Sequence, residues 1–133
     1  RIYREMPVNA IWEGSGNVMC LDVLRALGRE PEALDVVFDE FEAAKGANAH
    51  YDKAVDLLKQ QFTDLGTLEM RARTVVEDMA KVAEASVLVK HAPDYVSDAF
   101  CATRLNRDWG DLYGTLPEGV DQRAIIDRSR PMA

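Results

Sequence analysis

Between Trp12 and Asn17 the chain reads Trp-Glu-Gly-Ser-Gly-Asn, one carboxylate set between an indole and two glycines. Glycines flanking a serine let the backbone reach positive φ and bring its N–H groups close to a ligand, and Asn17 is a good N-cap for a following helix. A phosphate cradle can be built this way; so can the start of an ordinary helix. Glu13 follows the apolar pair Ile11-Trp12. Burial beside an indole raises a carboxylate's pKa by desolvation, and a general base serves best when its pKa lies near the working pH. Alternatively, Trp12 packs on the next helix as a hydrophobic staple.

The elements that must position this turn read as helices. Arg1–Glu5 has the form of a last helical turn, stopped by Pro7, with an irregular stretch from Met6 to about Ala10. After the turn, Val18–Leu27 is apolar nearly all round, leaving only Asp22 and Arg25 for water or a partner, and Gly28 supplies a stop. Such a helix belongs inside something larger, so part of its burial is expected against protein beyond this chain.

Amphipathic helices follow. Leu34, Val37, Phe38, Phe41 and Ala44 recur at three-and-four spacing, as do Tyr51, Ala54, Val55, Leu58 and Phe62 after the candidate cap Asn48. The longest helix is predicted from about Thr67 to Ala92, with Leu68, Ala72, Val75, Met79, Val82, Ser86 and Val89 inward. Its Glu69, Arg73, Glu77 and Lys81 read as a solvated charge row. Pro93 and Asp94 restart a helix to about Asn106. A breaker-rich loop holding Trp109-Gly110, Tyr113-Gly114 and Pro117-Glu118-Gly119 follows, then a short helix Asp121–Arg128. The predicted fold class is all-α, a bundle of about five to six helices, with no strand pattern and no repeat of solenoid length.

Composition narrows the function classes. The chain has 133 residues, 47% hydrophobic and 29% charged, enough for one domain with a real core. No apolar run approaches the roughly 20 residues of a membrane span, so membrane insertion is not expected. Net charge is −7, which repels nucleic acid at long range and leaves only a local basic patch for it. Cys20 and Cys101 sit among apolar neighbours, giving no disulfide framework and pointing to a reducing cytoplasm. His50 and His91 belong to no metal-spaced cluster, so no metal site is expected. The start at Arg1, with no signal pattern after it, is expected of a cut N-terminus and a piece of a longer chain.

Arg4-Glu5 followed by Ile11-Trp12-Glu13-Gly14-Ser15-Gly16-Asn17 resembles the acyl-CoA dehydrogenase superfamily near its C-terminal end, where the pattern is Arg-Asp, a spacer, then Ile-Tyr-Glu-Gly-Thr and a Gln or Asn two residues on. The run from Tyr3-Arg4-Glu5-Met6-Pro7-Val8-Asn9-Ala10 to Leu24-Arg25 looks closer still to the AidB-type branch, linked to the adaptive response to DNA alkylation. Glu5 for Asp, Trp12 for Tyr and Ser15 for Thr preserve charge, aromatic character and hydroxyl.

The resemblance implies an FAD-dependent flavoprotein oxidoreductase. Glu13 would be the base that removes the α-proton of an acyl-CoA thioester as a hydride leaves the β-carbon for FAD. Gly14, Ser15 and Asn17 would lie on FAD, and Trp12 would line the substrate pocket. Residues 1–28 would end the dehydrogenase-like helical domain, and residues 29–133 would be the helical C-terminal extension of the branch. The partners implied are the rest of the chain, an acyl-CoA-like substrate and further copies in a homo-oligomer; by itself this portion would be inactive. The extension is also implicated in DNA binding, for which Arg25 is the leading candidate. Arginine suits a phosphate through its planar fork; a helix-terminal Arg can equally meet the last carbonyls. The alternative function is thus a DNA-binding or oligomerisation module of an alkylation-response flavoprotein, and a third is a bundle whose apolar helix only mediates assembly.

Overall fold

The computed structural model describes residues 2–12, 14–106 and 116–131. Helix α1 (Ile2–Glu5) is a single turn. Pro7, which has no N–H to lose, sits at the start of a 3-10 segment, Met6–Ala10, where an irregular stretch was expected. Two bonds close it: the N–H groups of Ile11 and Trp12 both donate to the Val8 carbonyl, at 3.0 and 2.8 Å.

Helix α2 spans Gly16–Arg29, two residues earlier than the apolar run suggests. Its N-cap is Ser15, in extended backbone, and Asn17 lies inside the first turn instead of capping it. Gly28 does not stop the helix: it has no positive φ, and Glu30 N–H still reaches the Ala26 carbonyl at 3.0 Å. One interior glycine costs only about 1 kcal/mol, which neighbouring turns outweigh.

Helices α3 (Glu32–Glu42), α4 (Ala49–Gln61), α5 (Ala72–His91) and α6 (Asp94–Phe100) form the body, α6 passing directly into one π turn, Cys101–Leu105. Helix α7 (Gln122–Arg128) packs on α6. Among the described residues there is no strand, and the all-α prediction holds. Of the residues expected inward from this pair, Phe41, Ala44, Tyr51, Val55 and Leu58 are buried with Val75, Val82 and Ala85 of α5 and Cys101 of the π turn, and Val37, Phe38, Ala54 and Phe62 pack against them, whereas Leu34 lies outside that core. Phe38 packs edge-on against both Phe41 and Phe62.

Side chains set the boundaries. Asn48 caps α4 as predicted, its Oδ1 accepting from the N–H groups of His50 and Tyr51. Helix α5 begins five residues later than expected, because 66–71 is a turn tied by Arg71. Its guanidinium donates to Thr67 Oγ1 and to the Gln61 and Asp64 carbonyls. The Thr67 hydroxyl donates in turn to Asp64 at 2.6 Å, and this bond foremost holds the Asp64 carboxyl below its ordinary value. The fully buried Tyr51 hydroxyl donates to the Phe41 carbonyl at 2.8 Å, satisfying one of the orphan acceptors at the end of α3. Burial pushes its phenol above the ordinary value.

Two outcomes follow from this packing. Leu58→Ala removes a side chain that is 1% exposed and is expected to cost about 2–5 kcal/mol in urea unfolding. Glu42 is held below its ordinary carboxylate value of 4.5, first by its hydrogen bond with Lys59. A lowered folded-state value contributes stability above the unfolded value that is lost as pH falls through the folded one. Glu42→Gln should therefore shrink the loss of melting temperature measured as pH falls below about 4.5, and leave the curve at higher pH parallel.

Candidate functional site

The turn ahead of α2 is built by its glycines. Gly14 holds φ at 122°, which side-chain-bearing residues rarely adopt, and a Cβ there would sit 3.3 Å from Val18 Cγ1. Gly14 N–H donates to the Ile11 carbonyl at 3.2 Å, and the first backbone bond of α2 runs from Met19 N–H to the Ser15 carbonyl at 3.1 Å. The N–H groups of the first turn cannot be satisfied within a helix. The Ser15 hydroxyl makes no capping bond to them.

Across this turn lies Arg73, from the first part of α5. Its Nη1 donates to Asn17 Oδ1 at 3.1 Å, and the same atom stands 2.6 Å from the point a Cβ on Gly16 would occupy. Only glycine at position 16 admits the guanidinium so close. The sequence reading placed Arg73 in a solvated charge row. That row survives in the Glu77–Lys81 pair at 2.7 Å, but Arg73 reaches a residue 56 positions away, a contact for which local spacing carries no signal.

The other expected site residues are distributed as follows. Glu13, the expected base, lies outside the described residues, as do Trp109, Gly110, Tyr113 and Gly114. Trp12 is 65% exposed and its neighbour Ile11 is exposed too, so the indole does not act as a staple on α2. The structure brings Gly14, Ser15 and Asn17 together at one helix end. Arg25 lies two turns further along, about 12 Å up the axis. Its guanidinium pairs with Asp22 on the exposed surface and does not turn to the last carbonyls of the helix.

A second concave region, missed in the sequence, is a cavity of about 260 Å³ where α4, α5 and the π turn meet. Gln61 Nε2 donates there to Asp78 at 2.6 Å, while the buried Gln61 Oε1 has no partner. The thiol of Cys101 is fully buried and pushed up to about 11 by that burial, so it is neutral and no nucleophile at physiological pH. No group of three or more potential metal ligands occurs among the described residues. No helix among them is long and apolar enough to cross a membrane.

The chain is 37% identical over 110 residues to AidB of Escherichia coli (strain K12), a protein whose name assigns it provisionally to the acyl-CoA dehydrogenases. The chain is AidB-like. The match takes in 83% of this chain and 20% of AidB, so the chain spans about one-fifth of the length of that relative. No protein-family profile matches it. Likeness to AidB bears out the resemblance drawn from Arg4 to Arg25 and extends it well past α2, since 110 matched residues exceed that segment several-fold.

The two glycines of the turn differ in what they tolerate. Gly14→Ala forces an L side chain into strained backbone beside Val18 and is expected to cost about 1–3 kcal/mol in thermal or urea unfolding. Gly16→Ala meets only the mobile end of Arg73, so its stability cost should stay below about 1 kcal/mol. Its signature is instead displacement of the guanidinium, read as a change in the Arg73 side-chain NMR signals.

Proposed function

We propose that this chain is the C-terminal helical part of an FAD-dependent, acyl-CoA-dehydrogenase-like protein of the AidB type, residues 1–28 closing the flavin domain and residues 29–133 forming its extension. The observation that carries this reading is the turn at Gly14–Asn17, in a chain 37% identical to AidB. Glycine-only backbone, an uncapped helix start, an uncommitted Ser15 hydroxyl and the nearby Arg73 suit a pyrophosphate, because backbone N–H groups and the positive end of a helix favour anionic oxygens.

In this reading Gly14, Ser15 and Asn17 hold FAD, the Ser15 hydroxyl near the pyrophosphate, and Trp12 lines the acyl-CoA pocket. Bound FAD supplies the acceptor for the hydride that leaves the β-carbon. Glu13 takes the α-proton of the thioester onto its carboxylate, and the apolar pair Ile11-Trp12 supplies low-dielectric surface on closure around substrate. The exposed Val18, Met19 and Leu21 of α2 are then covered by the rest of the flavin domain or by a further subunit, as burial of apolar surface requires. By itself the 133-residue chain turns nothing over, since the remaining walls of the pocket come from elsewhere. A reducing cytoplasm is consistent with two buried, unpaired thiols.

The full-length protein should purify yellow and lose its flavin absorbance on anaerobic addition of an acyl-CoA. Glu13→Gln should keep the flavin and slow that bleaching by about 10²–10⁴-fold. A colourless full-length protein, or unchanged bleaching by Glu13→Gln, would refute the assignment.

A second reading is favoured by the exposure of Arg25 on α2: duplex DNA as a partner, held by this guanidinium once it leaves Asp22. Mobility shift of the full-length protein on duplex DNA should then weaken with salt, and Arg25→Ala should lower affinity at every salt concentration while reducing the salt slope by about 1.

A further inference from the structure

Arg73 does more than decorate the extension. It leaves α5 in the segment read as extension and ends on α2 in the segment read as flavin domain, so one side chain ties the two parts at the turn. A guanidinium has donors only, so the Asn17 atom facing it must be the amide oxygen. That bond fixes which way the amide faces: the oxygen lies toward Arg73 and the NH₂ group, with its two donors, points away from it. Held so, Asn17 turns its donors to the other side, which suits a ligand rich in acceptor oxygens. Among the described residues Arg73 makes no ion pair, so its charge is not cancelled by a neighbouring carboxylate there and adds to the positive end of α2.

We infer that Arg73 is a positioning residue for the flavin turn: by bonding Asn17 Oδ1 and filling the space bared at Gly16, it fixes the Asn17 amide with its donors toward FAD and makes flavin affinity depend on the extension. This rests on the reading that FAD lies on Gly14–Asn17. The side chain acts through Asn17 and touches neither substrate nor the reacting atoms. Its loss leaves the Asn17 amide free to rotate and to present its oxygen to an anionic group.

The test uses the full-length protein in four forms: the parent, Arg73→Ala, Asn17→Ala and the double variant, with FAD dissociation constants from flavin fluorescence and far-UV circular dichroism to check folding. Arg73→Ala is expected to weaken FAD binding about tenfold or more, the worth of one charge-assisted hydrogen bond. In the double variant the losses should not add, because Arg73 has nothing left to position once Asn17 is gone. Arg73→Lys, which keeps a donor within reach of Asn17, should recover most of the affinity, and it supplies the reading should Arg73→Ala unfold. Unchanged affinity in Arg73→Ala, additive losses in the double variant, or failure of Arg73→Lys to rescue would each overturn the inference while leaving a yellow parent protein. A parent that holds no flavin would instead remove the functional reading on which the inference rests.

Discussion

Helix α5 carries more apolar surface than one core can cover, and the arrangement of its neighbours is the answer to that constraint. Val75, Val82 and Ala85 turn into the core shared with α3, α4 and the π turn. Val76, Met79, Ala80 and Ala83 border that row and line a groove with Val23 of α2 and Val36, Val37 and Phe41 of α3, Met79 and Ala83 packing against the core as well. Two of these four α5 residues are alanines, and α2 lies against α5 closely enough for Arg73 to reach Asn17. The charge row with the Glu77–Lys81 pair takes one side of α5; were it wider, α2 would have no apolar row to lie on, and the turn ahead of it would lose its support.

Polar groups inside this body are mostly provided for. Tyr51 meets the Phe41 carbonyl and Thr103 the Ala99 carbonyl, and Ser86 bonds back to Ala83. Such back-bonding within helices is how buried hydroxyls avoid an unpaired donor. The buried Gln61 Oε1, with no partner, stands out against that background, beside the π turn that shares its cavity. Around the rim, Lys90 reaches both the backbone and the carboxylate of Glu40, and Asn48 donates to Asp98 at 2.7 Å. These last contacts pin α3 to α5 and the start of α4 to α6. Being exposed, they specify the arrangement more than they stabilise it.

The similarity to AidB and the turn geometry support one another through different physics. Sequence identity speaks to shared ancestry across four-fifths of the chain; the turn speaks to what a ligand with acceptor oxygens would meet. An acidic chain, net −7, is a poor long-range partner for DNA, and Arg25 is engaged by Asp22. A phosphate would therefore have to displace Asp22 from Arg25, whereas the flavin reading has a turn whose glycine, serine and asparagine already share one helix end.

The sequence by itself determined the helical class, the inward faces of α3, α4 and α5, the Asn48 cap and the likeness carried by Arg4 to Arg25. Each is written in local periodicity or in residues close along the chain, where packing reinforces intrinsic preference. Helix ends were less legible. Asn17 and Gly28 have the chemistry of a cap and a stop, yet Ser15 holds the N-cap position of α2 without a side-chain capping bond and Glu30 ends the helix, because neighbouring turns and tertiary contacts outweigh a propensity near 1 kcal/mol. Only the tertiary structure decided that Trp12 stands exposed, that Arg71 ties the turn before α5 and that Arg73 closes on Gly16 and Asn17. The Arg73–Asn17 contact joins residues 56 positions apart, and a side chain's long-range partner is fixed by how whole helices pack, which no local spacing encodes.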